Sequence, residues 1–248
     1  MKLEGKTSIV TGASRGIGKA ISIALAKEGT KVALVDKDLE PSQEVASKIN
    51  KEGGKADAIQ TDVSDPEAVE KMVREVVNHF GSVDILVNNA GIILRGSFID
   101  LNHKDWERVL SVNLGGTFNC CKAVVPHMVK KGGGKIINVS SVAGKIGDIT
   151  ASPAYGTSKG AINTFTKSLA RQLAQFGINV NAVAPHAIET DMSAEWSEEK
   201  RRAVIGSIPL KRMGKPEEVA EVVVFLASEG AGFITGEVIN VNGGYLMD

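Results

Sequence analysis

The sequence predicts an α/β fold: one doubly wound, seven-stranded parallel sheet with helices on both faces. Short apolar runs rich in β-branched residues alternate with longer amphipathic stretches along the whole chain, the pattern of repeated strand–helix–strand units. Hydrophobic residues make up 43% of the 248 residues, enough to bury such a sheet under helices. No proline-rich or serine-rich linker, fixed-period repeat or low-complexity tract interrupts the alternation, so residues 1–248 are read as one domain.

Strands are predicted at Thr7–Val10, Lys31–Val35, Ala56–Gln60, Ile85–Val87, Lys135–Val139, Asn179–Val183 and Glu237–Val241. Helical patterns cover Gly16–Lys27, Ser42–Glu52, Glu67–Phe80, Trp106–Lys130, Ala154–Phe176 and Pro216–Ala227. Asp65-Pro66-Glu67 places a capping acid before a first-turn proline, and Gly81 is the stop of the same helix. Gly53-Gly54 and Gly132-Gly133-Gly134 mark turns into strands. Pro126, inside a helical pattern, predicts a kink or an early end. Residues 189–209 break the alternation, being polar and helix-prone; they are either a substrate lid or an ordinary surface helix.

Charge and cysteine usage narrow the function. Lys plus Arg and Asp plus Glu both number 29, so no net field attracts nucleic acid or an anionic membrane, and neither partner is expected. The two cysteines, Cys120 and Cys121, are adjacent and offer no disulfide framework or spaced metal ligands. His79, His103, His127 and His186 are scattered, and no metal is expected. Met1 to Lys6 is polar and carries no apolar leader, so a reducing, cytoplasmic setting is expected.

The first strand runs into Thr11-Gly12-Ala13-Ser14-Arg15-Gly16-Ile17-Gly18, where a helix opens. Glycines let backbone approach a pyrophosphate, and the helix N-terminus offers unpaired N–H groups and partial positive charge to hold it. Gly12, Ser14, Arg15, Gly16, Ile17 and Gly18 are therefore cofactor candidates in a Rossmann arrangement. A glycine-rich turn without a ligand has the same appearance. Asp36 ends the second strand at the spacing where an acid reaches the adenosine ribose hydroxyls, and a carboxylate there repels the extra phosphate of NADP. NAD is the expected cofactor and NADP the less favoured one, although Arg15 and Lys37 are cations able to meet a 2′-phosphate. Asp62-Val63 after the third strand suits the adenine amino group or a plain turn. Asn89, Ala90 and Gly91, in Asn88-Asn89-Ala90-Gly91 after the fourth strand, let a flat cofactor lie over the strand ends, or form a simple turn.

Tyr155 and Lys159 stand four residues apart on one helical face. A free phenol has a pKa of about 10, and a neighbouring ammonium lowers it toward the range useful for proton exchange at neutral pH. Ser141, running off the fifth strand, can hydrogen-bond a reacting oxygen; Ser140 is read as capping or packing. Asn113, polar in an apolar helical region, either holds a proton-relaying water or is a buried structural asparagine.

With these residues assembled, the chain resembles the short-chain dehydrogenase/reductase family from end to end. Thr11 to Gly18 is similar to its cofactor loop, Asn88 to Gly91 to its Asn-Asn-Ala-Gly motif, and Asn113, Ser141, Tyr155 and Lys159 to its catalytic tetrad. The resemblance implies that the tyrosine exchanges the proton, the serine positions the substrate oxygen, the lysine also binds the nicotinamide ribose, and the asparagine supports a relay. It further implies that Pro185 lies beside the nicotinamide and that Ile188 and Thr190 bind the carboxamide. His186 departs from the glycine usual after that proline. The resemblance also implies a homotetramer, built by the helices Trp106–Lys130 and Ala154–Phe176 and by the tail Asn240 to Gly244.

The activity expected is hydride transfer between a ketone and a secondary alcohol on a small-molecule substrate. A sugar, polyol or hydroxyacid is preferred; the alternative is a 3-oxoacyl-[acyl-carrier-protein] reductase. Asp36 disfavours the NADP typical of that reductase, and the arginines that meet its acidic partner correspond here to Gly132 and Phe176, with Lys130, Lys131 and Arg171 as substitutes. A dinucleotide-binding regulator that performs no chemistry is the alternative of another class, opposed by the intact tetrad.

Overall fold

The computed structural model describes residues 3–147, 151–194 and 196–248. Seven strands, β1 (Thr7–Thr11), β2 (Lys31–Asp36), β3 (Lys55–Gln60), β4 (Ile85–Asn88), β5 (Gly134–Val139), β6 (Ile178–Pro185) and β7 (Val238–Val241), form one sheet in the order β3-β2-β1-β4-β5-β6-β7. Every neighbouring pair is parallel. The order reverses between β1 and β4, which opens a crevice at their carboxyl ends.

Among the described residues, ten α-helices accompany the strands: α1 (Gly16–Lys27), α2 (Leu39–Lys51), α3 (Pro66–Phe80), α4 (His103–Leu110), α5 (Gly116–Lys131), α6 (Ala143–Ile146), α7 (Pro153–Leu173), α8 (Asp191–Ala194), α9 (Glu198–Ser207) and α10 (Pro216–Ala227). One face of the sheet is covered by α1, α2 and α10, where Ile21 and Leu25 pack with Val45, Val219 and Val223. The other is covered by α3, α5 and α7, where Met72 and Val76 meet Cys120, Val124, Met128 and Ala170. Each fully buried Ile or Leu contributes about 1.5 to 3 kcal/mol, so both faces are needed to hold the sheet. No helix among the described residues is long and apolar enough to cross a membrane.

Local signals account for the elements. Asp65 Oδ1 accepts the N–H groups of Glu67 and Ala68 at the start of α3, and Gly81 ends it at φ 90°. Pro126 does not shorten its helix: α5 runs on to Lys131. Pro126 and Lys122 both lie on the exposed face, so the Lys122 carbonyl that loses its partner turns to water. The helix predicted as continuous from Trp106 is instead widened at Ser111–Gly115 into a π turn between α4 and α5.

At the amino ends of the strands, buried Asp84 accepts the Thr7 N–H at 2.8 Å and the Ser82 hydroxyl at 2.9 Å, and pairs with Lys131. Residues 189–209 carry α8 and α9 on a small apolar cluster of Ala187, Ile208 and Met213 with Trp196, Val204 and Ile205. The neck of this insertion is closed by a parallel bridge between Ile188 and Gly214.

Candidate active site

The switch point is tied by one side chain. Thr11 Oγ1 accepts the N–H groups of both Asn89 and Ala90 at 3.0 Å, while Asn89 Nδ2 donates to the carbonyls of Thr11 (3.0 Å) and Gly12 (2.9 Å). Space there admits no side chain: a Cβ on Gly12 would lie 2.9 Å from Ala90 Cα, and one on Gly18 would lie 2.1 Å from the Gly12 oxygen. Gly16 takes φ 53° and faces the methyl group of Thr190, which brings the residues after β6 against the loop after β1. Helix α1 begins after Arg15 without a side-chain cap, leaving its first-turn N–H groups for a ligand. Ile17 is half-buried against the core. The cradle fits a dinucleotide pyrophosphate.

Asp36 ends β2 with Oδ2 accepting the Ser14 N–H at 3.1 Å and Oδ1 accepting the Asp38 N–H at 3.2 Å, so the carboxylate is fixed beside the glycine loop. Arg15 and Lys37 are exposed. Asp62 Oδ1 accepts both the hydroxyl (2.6 Å) and the N–H (2.9 Å) of Ser64, the turn its position allowed; those bonds, helped by the Lys37 charge, hold its carboxyl below the usual range. Val63 is buried under α5, its carbonyl accepting from Asn119 Nδ2 at 2.9 Å.

Helix α7 carries Tyr155 and Lys159 one turn apart, with the Lys159 ammonium 5.8 Å from the centroid of the Tyr155 ring. Lys159 is 4% exposed, and Nζ donates to the Val139 carbonyl at 2.8 Å. Burial pushes its pKa down to about 8. Ser140 is buried and donates to the Lys159 carbonyl at 3.1 Å, whereas Ser141 is half-exposed and its Oγ accepts the Ala143 N–H at 3.1 Å at the start of α6. A Cβ on Gly144 would lie 2.5 Å from the Lys159 carbonyl carbon, so α6 and α7 meet backbone to backbone.

Asn113 occupies the π turn, fully buried. Its Oδ1 accepts the Ile92 N–H at 2.8 Å, and its Nδ2 donates to the Ile92 carbonyl and to Ser158 Oγ, both at 3.0 Å. Ser158 passes the link to the Tyr155 carbonyl at 2.7 Å. The Asn113 side chain is thus committed to the loop after β4 and to the helix carrying Tyr155. A Cβ on Gly91 would lie 3.2 Å from Asn113 Oδ1 and 3.5 Å from Lys159 Nζ, which brings β4, the π turn and α7 together. Thr11 and Ser158 were not singled out from the sequence; a hydroxyl at the end of β1 beside Asn-Asn was the signal for the first, and nothing local marked the second.

Beyond β6, the buried Pro185 carbonyl accepts the Val142 N–H at 3.0 Å, Ile188 packs against Gly214, and His186 stacks on Tyr245. Lys131, one of the cations considered for an acidic partner, pairs with Asp84 at the amino ends of the strands.

A glycine cradle at the switch point, with the buried Lys159 amine close to Gly91 and the Tyr155 ring beside that amine on α7, fits a nicotinamide-dependent oxidoreductase acting on CH–OH and keto groups. Comparison with known proteins agrees. The profile of a family described as Enoyl-(Acyl carrier protein) reductase matches residues 12–246. The 3-oxoacyl-[acyl-carrier-protein] reductase FabG of Aquifex aeolicus is 47% identical over 245 residues, covering 98% of each chain. That of Thermotoga maritima is 41% identical over 247 residues and covers 100% of both. The crystal structure of gox2181 superposes with a TM-score of 0.96 at 35% identity, covering 98% of this chain and 96% of that one. The chain belongs to the short-chain dehydrogenase/reductase family.

Proposed function

We propose that the chain reduces 3-oxoacyl thioesters on an acyl carrier protein to 3-hydroxyacyl thioesters, with NADH as reductant. The observation that carries this is end-to-end identity of 47% and 41% to two proteins named as reductases of that substrate. It supports the carrier-protein substrate over the sugar, polyol or hydroxyacid expected from the sequence. The NADH choice rests on Asp36, whose carboxylate is pinned by two backbone N–H groups where a 2′-phosphate would meet its charge.

Gly12, Ser14, Arg15, Gly16, Ile17 and Gly18 would hold the pyrophosphate, Asp36 the adenosine ribose, Asp62 and Val63 the adenine, and Asn89, Ala90 and Gly91 the surface beneath. Pro185, Ile188 and Thr190 would line the nicotinamide end, with Lys159 on its ribose. When bound, the reduced nicotinamide supplies the hydride. Tyr155 Oη gives its proton to the C3 carbonyl oxygen as that oxygen becomes negative, and Ser141 Oγ donates a hydrogen bond to the same oxygen. Lys159, whose ammonium lies 5.8 Å from the Tyr155 ring, stabilises the phenolate left behind. Asn113 holds the Gly91–Ile92 loop and α7 in register, which keeps Tyr155 facing the cradle. The same reading assigns a cytoplasmic homotetramer, whose copies would cover exposed Phe118 and Phe176 on one face and Phe225, Phe233 and Met247 on another.

The test is a substrate panel followed through oxidation of NADH. A 3-oxoacyl thioester on carrier protein is expected to exceed sugar ketones, polyol-derived ketones and 2-oxoacids by about 100-fold in kcat/KM, the discrimination that several buried substrate contacts supply. Faster turnover of any of the others would overturn the assignment.

A further inference from the structure

Residues 242–248 leave the outermost strand, reverse, and return across three separate pieces of wall around the site. Gly243 and Gly244 make the reversal at φ 64° and 85°, left-handed values that L side chains rarely adopt. The Gly243 carbonyl accepts the Leu210 N–H at 3.2 Å, joining this segment to the far side of the 189–209 insertion. The Tyr245 ring lies flat on the His186 imidazole, with centroids 3.9 Å apart and planes 15° from parallel. Asp248 meets Lys145, whose ammonium is 2.7 Å from one carboxylate oxygen and also donates to the Val238 carbonyl at 3.2 Å. The segment is braced within itself by Asn242 Nδ2, which donates to the Leu246 carbonyl at 2.9 Å.

These anchors adjoin the reacting groups. Lys145 lies in α6, four residues beyond Ser141. His186 directly follows Pro185 and stands two residues before Ile188. The Ser141 strand end and the end of β6 are already zipped together, Ser140 N–H to Val183 carbonyl at 2.8 Å and Val142 N–H to Pro185 carbonyl at 3.0 Å. Any shift of the Pro185–His186 turn is therefore passed to Ser141 by a single backbone hydrogen bond. A histidine has rotamer freedom that a glycine lacks, and a flat ring packed against its face removes it.

We propose that Tyr245 is a positioning residue: by stacking on His186 it fixes the turn after β6 and, through the Pro185–Val142 hydrogen bond, the placement of Ser141. The proposal rests on reading Ser141 and Tyr155 as the groups that act on substrate. Reaction rates are sensitive to displacements of about 1 Å at such groups, so loosening the stack reads out in turnover rather than in binding of the ADP-ribose half of the cofactor.

Two measurements on the full chain test this. Tyr245→Ala is expected to lower kcat about tenfold while affinity for ADP-ribose, the half of the cofactor assigned to the loop after β1 and Asp36, stays within about twofold. Tyr245→Phe, which keeps the ring face, is expected to return kcat to within about twofold of the parent. Amide hydrogen exchange, which needs no substrate, is expected to accelerate in residues 140–147 and 186–190 of Tyr245→Ala but not in β2 or β3. Unchanged kcat and exchange in Tyr245→Ala would overturn the proposal, as would a phenylalanine variant as impaired as the alanine one. If the alanine variant does not fold, Tyr245→Leu, which keeps bulk without a ring, is read on the same measurements. A Tyr155→Phe variant that stays active would sink the acid–base reading, yet leave the exchange result standing.

Discussion

At the amino ends of β1 and β4, Asp84 is met by the Thr7 N–H, the Ser82 hydroxyl and the Lys131 ammonium. At the carboxyl ends of β4 and β5, Lys159 is also buried but, among the described residues, meets a backbone carbonyl and the face of a phenol, with no carboxylate beside it. The pKa consequences differ in kind. Burial alone would raise Asp84, and Lys131 with the two hydrogen bonds outweighs it, holding the carboxyl below the usual range. Burial depresses Lys159 without compensation. One end of the sheet pairs its buried charge for stability, and the other keeps a charge poised for chemistry at a cost in stability.

The comparison breaks most sharply at Tyr155. Tyr155→Phe is expected to lose about two orders of magnitude or more in turnover while binding NADH as the parent does, since general acid catalysis usually supplies that much. Retained turnover would remove Tyr155 as the acid.

Stability against pH sharpens it next: both folded pKa values lie below their usual values, so both contributions rise with pH, but in separate windows, acid for Asp84 and alkaline for Lys159. The folded pKa of Lys159, about 8, lies below the usual lysine value, so the folded state releases that proton first. Its contribution to stability should rise between pH 8 and the usual lysine range, by on the order of 2 to 3 kcal/mol relative to Lys159→Met in urea melts. Asp84 acts at the other end of the pH scale, where folding favours the charged form: Asp84→Ala should cost about 2 kcal/mol at neutral pH, and the gap should close as pH falls below the usual carboxylate value. Parallel curves for parent and variants would contradict the contrast.

The smallest effect belongs to cofactor choice. The parent chain should bind NADH more tightly than NADPH, and Asp36→Ala should narrow the difference by about tenfold, equal to about 1.4 kcal/mol, by removing charge repulsion. Equal affinities in the parent, read by titration of reduced-nicotinamide fluorescence, would refute the choice.

The layout of the sheet was legible because each buried strand is a short β-branched run bounded by glycine, proline or a capping acid, and these are local signals. Asp65, Gly81 and Pro216 mark helix ends where expected. Pro126 does not end its helix early because a proline on a solvent-facing helix surface releases a carbonyl to water, and exposure is a tertiary property. At the site, the Tyr155–Lys159 spacing could be read because one helix fixes it. The commitment of Asn113 to Ile92 and Ser158, the grip of Thr11 on Asn89 and Ala90, and the His186–Tyr245 stack each join residues far apart in the chain. The relatives favour the carrier-protein alternative over the sugar, polyol or hydroxyacid preferred from the sequence; Asp36 speaks to the coenzyme and not to the acyl group.

The widened turn at Ser111–Gly115 holds one residue more than an α turn. Deleting any one of those five would give a smoother and intrinsically easier helix, but would swing the flanking half by about 100° and carry the buried amide of Asn113 away from its loop. A lineage that lost a codon here is expected to keep the sheet while losing the contacts by which Asn113 joins Ile92 to Ser158.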